Sequence, residues 1–153
     1  MTSTPEGKVR RILVAIDNSK FASAVVEEAA RLGSQLGSDL TILSVVNMPS
    51  LVAAEGEIDS ADMEDQEKQL LSLHRDLIER YFNHAAILIE SKILHGSPAE
   101  KICEYAEIMD ADLVLVGTHG KGALATALLG SVSEKVAKNC RRSVVVVRRA
   151  SQQ

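Results

Sequence analysis

The sequence predicts an α/β fold: a single domain on a doubly wound, five-stranded parallel sheet with helices on both faces. Three observations carry this reading. Short apolar runs alternate with stretches whose apolar residues recur at helical spacing, giving the order β-α-β-α-β-α-β-α-β. The apolar runs are continuous, which suits strands buried on both faces, and such strands belong to parallel sheets. The 153 residues, 46% of them hydrophobic, suffice for one domain and are short for two.

Residues 1–9 are polar and are expected to be flexible; the domain spans 10–149, and 150–153 form a tail. Residues 11–16 (RILVAI) read as the first buried strand, ending in the capping cluster Asp17-Asn18-Ser19. Ala22, Val25, Val26, Ala29, Leu32 and Leu36 form a helical stripe, and Gly37 stops that helix. Residues 40–46 (LTILSVV) are the second strand. Residues 47–67 then read as an acidic loop. Pro49 breaks the pattern, and Glu55, Glu57, Asp59, Asp62, Glu64, Asp65 and Glu67 all precede the first base, Lys68. A second helix carries Leu70, Leu73, His74, Leu77, Ile78 and Tyr81 on one stripe, with His74 at the edge of the core.

Residues 86–94 are the third strand, and its polar middle, Ile89-Glu90-Ser91-Lys92, suits a sheet edge. Ser97-Pro98-Ala99-Glu100 starts a third helix: Ser97 caps, Pro98 takes the first helical position and Glu100 completes a capping box. Ile102, Cys103, Ala106 and Met109 continue it. Residues 112–116 (DLVLV) are the fourth strand, followed by Gly117. Ser131-Val132-Ser133-Glu134 is a second capping box, and residues 144–147 are the fifth strand.

Composition removes several functions. Twenty-one acids against 17 bases give a net charge of −4, the wrong sign for a non-specific nucleic-acid binder. Aromatics are 3%, too few for base-stacking platforms. No apolar run approaches the roughly 18 residues of a membrane span, and the first residues lack the apolar core of a signal peptide. Cys103 and Cys140 form no CxxC pair and read as reduced thiols of a cytoplasmic protein. Cys103 belongs to the core, and the neighbouring Arg141 and Arg142 lower the thiol pKa of an exposed Cys140.

Open parallel sheets bind ligands beyond the carboxyl ends of their strands, where the winding switches direction. Strand one ends there in Asp17, and strand four in Gly117-Thr118-His119-Gly120-Lys121-Gly122. Gly117 and Gly120 permit positive φ and close approach of a ligand. Gly130-Ser131 opens the last helix, where the free amides of Ser131, Val132 and Ser133 suit an anion. His119 and Lys121 add donors. Together these residues describe a phosphate cradle. Each of these features alone is more often a turn or a cap; the combination at one sheet edge gives it weight.

Three segments carry a resemblance. Val14-Ala15-Ile16-Asp17-x-Ser19, Gly96-Ser97-Pro98-Ala99-Glu100 and Gly117-x2-Gly120-x9-Gly130-Ser131 together resemble the universal stress protein family, over about residues 8–149. The last segment resembles the signature of the ATP-binding branch. The resemblance implies the strand order 3-2-1-4-5, with strands one and four adjacent at the switch point. It implies ATP with adenine near Ala15, Asp17 and Val45, ribose near Val116 and Gly117, and Ile16 among the nucleotide-binding residues. The triphosphate would lie on Gly120, Gly130, Ser131 and Val132, accompanied by Mg. In this order the fifth strand, Ser143-Val144-Val145-Val146-Val147, is an open β-branched edge. Pairing with the same strand of a second copy would close it, so a homodimer is expected.

Other signatures fail. A Walker A loop needs Lys-Ser/Thr, and Gly122 is followed by Ala123-Leu124. A dinucleotide fold needs glycines after strand one, a receiver domain needs an Asp ending strand three, and an FMN site would want aromatics at strand ends. No histidine pair has metal-ligand spacing, and no nucleophile–base pair is evident, so neither a protein-held metal nor a catalytic residue is assigned. The expected function is ATP-dependent regulation under stress through an unidentified protein partner. A slow or partner-dependent ATPase remains open, as does a structural dimer that is empty or holds another adenine nucleotide.

Overall fold

The computed structural model describes residues 7–48, 60–119 and 129–148. Nine elements alternate along these residues. They are β1 (Arg11–Ala15), α1 (Ala22–Leu36), β2 (Asp39–Asn47), α2 (Ser60–Phe82), β3 (Ile89–Gly96), α3 (Pro98–Ile108), β4 (Leu113–Gly117), α4 (Ser131–Asn139) and β5 (Ser143–Val147). The strands form one parallel sheet in the order β3-β2-β1-β4-β5. This is the order expected, and it places β1 and β4 side by side.

The sheet has two buried faces because its strands are apolar on both. Ile12, Val14, Leu40, Ile42 and Leu115 pack under α1 and α2; Leu13, Ala15, Leu43, Val114 and Val116 pack under α3 and α4. The approach of α1 to the sheet depends on Gly33, where a Cβ would stand 2.5 Å from Leu40 Cδ1. Gly37 ends α1 at φ 64°, a left-handed stop that glycine takes without a Cβ penalty. Asp112 accepts from the amides of Arg10 and Arg11 at 2.8 and 3.0 Å and so fixes the start of β1. Val9, within the segment expected to be flexible, packs on the core and accepts from Ser38 Oγ at 2.7 Å.

Several local expectations are corrected. The acidic stretch does not stay a loop to residue 67: α2 begins at Ser60 and takes in Asp62, Glu64, Asp65 and Glu67. Asp62, in the first turn, suits the positive end of a helix, and composition alone does not separate such a start from a loop. Glu55, Glu57 and Asp59 lie outside the described residues. Neither capping box forms. Ser97 sits at the N-cap of α3 without a side-chain bond, and α4 is preceded by Gly130 as N-cap, so Ser131 is its first helical residue. The capping cluster after β1 makes a turn instead, in which Asp17 Oδ1 accepts from the Ser19 amide at 3.0 Å and Ser19 Oγ from the Phe21 amide at 3.3 Å.

The cysteines are not free thiols. Cys103 on α3 and Cys140 at the C-cap of α4 form a disulfide, so Cys140 carries no thiol to activate. The two helices converge on one face across 37 residues of sequence, a meeting that no local spacing announces. The cysteine argument for a cytoplasmic setting falls with it. Arg142 strengthens the same corner, reaching Glu107 and Asp110, each at 2.9 Å. Its hydrogen bond to Glu107 holds that carboxyl below its ordinary range.

Candidate functional site

A cavity of about 290 Å³ opens beyond the carboxyl ends of β1, β2 and β4. Its floor comes from strand ends: Ala15, Ile16 and Asp17 after β1, Val45 near the end of β2, Val116 and Gly117 at the end of β4. Its far wall is the start of α4, with Gly130, Ser131 and Val132, and His119 stands at one side. Ten of the twelve residues singled out in the sequence therefore line one space. Gly120 and Lys121 lie outside the described residues.

The wall is held by short backbone links. Gly130 N donates to the Thr118 carbonyl at 2.5 Å, and Thr118 N donates to the Val147 carbonyl at 3.1 Å. Ser133 Oγ donates to the Gly117 carbonyl. The Gly130 and Ser133 bonds tie the first turn of α4 to the end of β4, and the Thr118 bond ties that end to β5. The first amides of a helix have no partner within it, and the helix dipole concentrates positive potential there. The cavity thus meets a donor-rich helix end on one side and apolar strand ends on the other. This arrangement suits a ligand with an apolar ring and an anionic tail.

One expectation about glycine is corrected. Gly117 does not adopt positive φ, and Gly130 has φ −70°. Gly117 keeps a tight spot open instead: a Cβ there would stand 3.1 Å from Val25 Cγ2, which would have to give by a few tenths of an ångström, and 3.5 Å from the His119 carbonyl. The sequence also leaves out residues that the structure brings in. Phe21, at the N-cap of α1, lines the cavity and tilts against His119 at 6.0 Å between ring centroids. Pro98 and Ile102 reach it from α3. Phe21 was findable only as an aromatic just past the capping turn, and α3 gives no local sign of which strand ends it overhangs.

His74 is not at the core edge. It is 1% exposed, with Ser44 and Ser91 hydroxyls against its two ring nitrogens. Burial lowers its pKa from 6.5 to about 4. His95, at the end of β3, lies 3.0 Å from Glu67 of α2. Among the described residues, no group of three or more His, Cys, Asp or Glu is placed to hold a metal ion. No helix among them is long and apolar enough to cross a membrane.

The model of one family, the universal stress protein family, matches residues 8–148. The chain belongs to the universal stress protein family. This universal stress protein is 30% identical to universal stress protein MJ0531 of Methanocaldococcus jannaschii, over 94% of this chain and 85% of the relative. Among solved structures, it resembles that of the hypothetical protein MJ0577 with a TM-score of 0.81 and 23% identity, covering 95% of this chain and 99% of the other. It also resembles the universal stress protein from Archaeoglobus fulgidus in complex with dAMP. There the TM-score is 0.65 and the identity 21%, over 92% of this chain and 98% of the other. These structural likenesses carry the fold.

Proposed function

We propose that this universal stress protein binds ATP in the cavity beyond β1 and β4 and uses its occupancy to regulate a protein partner under stress. The observation that carries the reading is the convergence of Asp17, Val45, Gly117 and the first turn of α4 on one cavity. The cavity fits the group by its chemistry, with apolar strand ends for a base and unpaired helix amides for phosphate. Adenine would lie on Ala15, Ile16, Asp17 and Val45, ribose on Val116 and Gly117, and the phosphates on Gly120, Gly130, Ser131 and Val132. His119 and Lys121 would serve as further donors. The dAMP complex of the Archaeoglobus relative supports an adenine nucleotide as the ligand. Mg²⁺ binds chiefly through phosphate oxygens and water, so it would enter with the nucleotide.

Binding can regulate only if the nucleotide prefers one surface state over another. That difference would lie at the first turn of α4, which walls the cavity. Mass spectrometry of ligand carried through native purification tests the reading, followed by calorimetry with ATP and GTP. ATP should bind more tightly. A buried edge that presents its donors and acceptors wrongly costs about 1–3 kcal/mol, so equal affinity would overturn the adenine assignment. His119, proposed as a donor at the phosphate end, lines the same cavity, and slow or partner-dependent ATP hydrolysis is the second reading. Product analysis after incubation with ATP and Mg²⁺ decides it. A cytoplasmic location and a homodimer through β5 belong to the same proposal.

A further inference from the structure

A line of side-chain hydrogen bonds crosses the sheet beneath the cavity. Ser44 Oγ donates to the Ile16 carbonyl at 2.7 Å. That bond uses the only proton of the hydroxyl, so Ser44 Oγ must accept from His74 Nε2, 2.7 Å away. His74 therefore carries its proton on Nε2, and Nδ1 accepts from Ser91 Oγ at 2.6 Å. Donation thus runs from β3 through α2 and β2 to the end of β1, with each hydroxyl proton used. Its inner part lies in the core, where Ser44 and His74 are each 1% exposed, while Ser91 at its far end is exposed.

The consequence falls on the neighbouring residue. Ile16 N donates to the Leu43 carbonyl at 2.9 Å, so the odd-numbered residues of β2 turn their backbone groups toward β1. The next ladder bond would join the Val45 amide to the Ile16 carbonyl. Ser44 Oγ donates to that carbonyl instead, and among the described residues no backbone bond joins β1 and β2 past Ile16. The Val45 N–H and C=O are left at the cavity floor as one donor and one acceptor. An adenine edge, with a ring nitrogen acceptor beside an amino donor, matches that pair.

We propose that His74 and Ser44 are positioning residues that end the β1–β2 ladder at Ile16 and so keep the backbone edge of Val45 open to a ligand. The identity of that ligand rests on the nucleotide reading; the opening of the edge does not. Backbone amide exchange of the ligand-free protein, followed by NMR, tests the opening. Val45 should exchange readily in the wild type and at least tenfold more slowly in Ser44→Ala, where the Ile16 carbonyl is released to it. Ser44→Thr, which keeps the hydroxyl, should restore the wild-type rate. ATP affinity should fall at least fivefold in Ser44→Ala and return in Ser44→Thr. The ring nitrogen shifts of His74 in the wild type should report a proton on Nε2, a readout that needs no variant to fold. Unchanged Val45 exchange in Ser44→Ala, or a proton on Nδ1 of His74, overturns the proposal. Slowed Val45 exchange with unaltered ATP affinity overturns its ligand-directed part. Absence of ATP binding in the wild type, with the exchange and tautomer results as expected, supports the positioning role and sinks the nucleotide reading alone.

Discussion

At Gly117 the lack of a side chain shapes the cavity, and at His74 a buried ring ties stability to pH. A valine at 117 would press its Cβ on Val25 Cγ2 and crowd the floor where the ribose is proposed. We expect Gly117→Val to weaken ATP at least tenfold and to cost about 1–3 kcal/mol of stability from overpacking. Calorimetry and urea unfolding measure the two effects separately. Ser131→Ala should be milder, about 1 kcal/mol of binding, because the helix amides remain when the hydroxyl is lost. His74 acts on stability through pH. Its folded pKa of about 4 lies below the ordinary 6.5, so the unfolded chain takes the proton first. The stability it confers is complete above pH 6.5 and is lost as pH falls toward 4, by roughly 3 kcal/mol at most. Urea midpoints at pH 7, 6 and 5 should fall in the wild type. In His74→Gln the fall should be markedly smaller, and equal slopes would refute this account.

At the scale of elements, the Cys103–Cys140 bond joins two helices that both line the cavity near their N-termini. A cross-link over a loop of this length contributes about 2–4 kcal/mol, mainly by restricting the unfolded chain. Reduction by dithiothreitol, or the Cys103→Ser variant, should lower the unfolding free energy by that amount. An unchanged urea midpoint would show that the link adds nothing. The strands and most helices were legible because continuous apolar runs and helical stripes are local signals, as in residues 11–16 and the Ala22-to-Leu36 stripe. The start of α2 was not, since Asp62, Glu64 and Asp65 suit a loop as well as a helix N-terminus. The disulfide was illegible for a different reason: proximity across the sheet face is set by the crossovers, not by any spacing. In the cavity, strand-end residues were legible because strand order fixes which ends meet. Phe21 and the His74 line were not, because side-chain direction and burial decide them.

For the whole molecule, the open question is what covers β5. Thr118 N donates to the Val147 carbonyl, so Val147 and Val145 face β4, and Val144 and Val146 turn their backbone groups outward. A proline is tolerated on an edge only where its missing N–H faces outward. If two copies pair through β5, Val146→Pro should give a folded monomer, whereas Val145→Pro should damage the sheet itself. Sedimentation at micromolar concentration and thermal unfolding distinguish these results. A wild-type monomer, or a dimer that survives Val146→Pro, would remove the homodimer through β5.

The same disulfide has a consequence for chain connectivity. It closes a covalent ring that contains β4 and α4, two of the elements that line the cavity. A single backbone cut anywhere between residues 104 and 139 therefore leaves one molecule rather than two. A singly nicked protein should run as one band without reductant and as two with it. If it separates without reductant, the ring is not closed in that sample. Electrophoresis of nicked chains taken directly from cells thus becomes a reading of how oxidising their surroundings were.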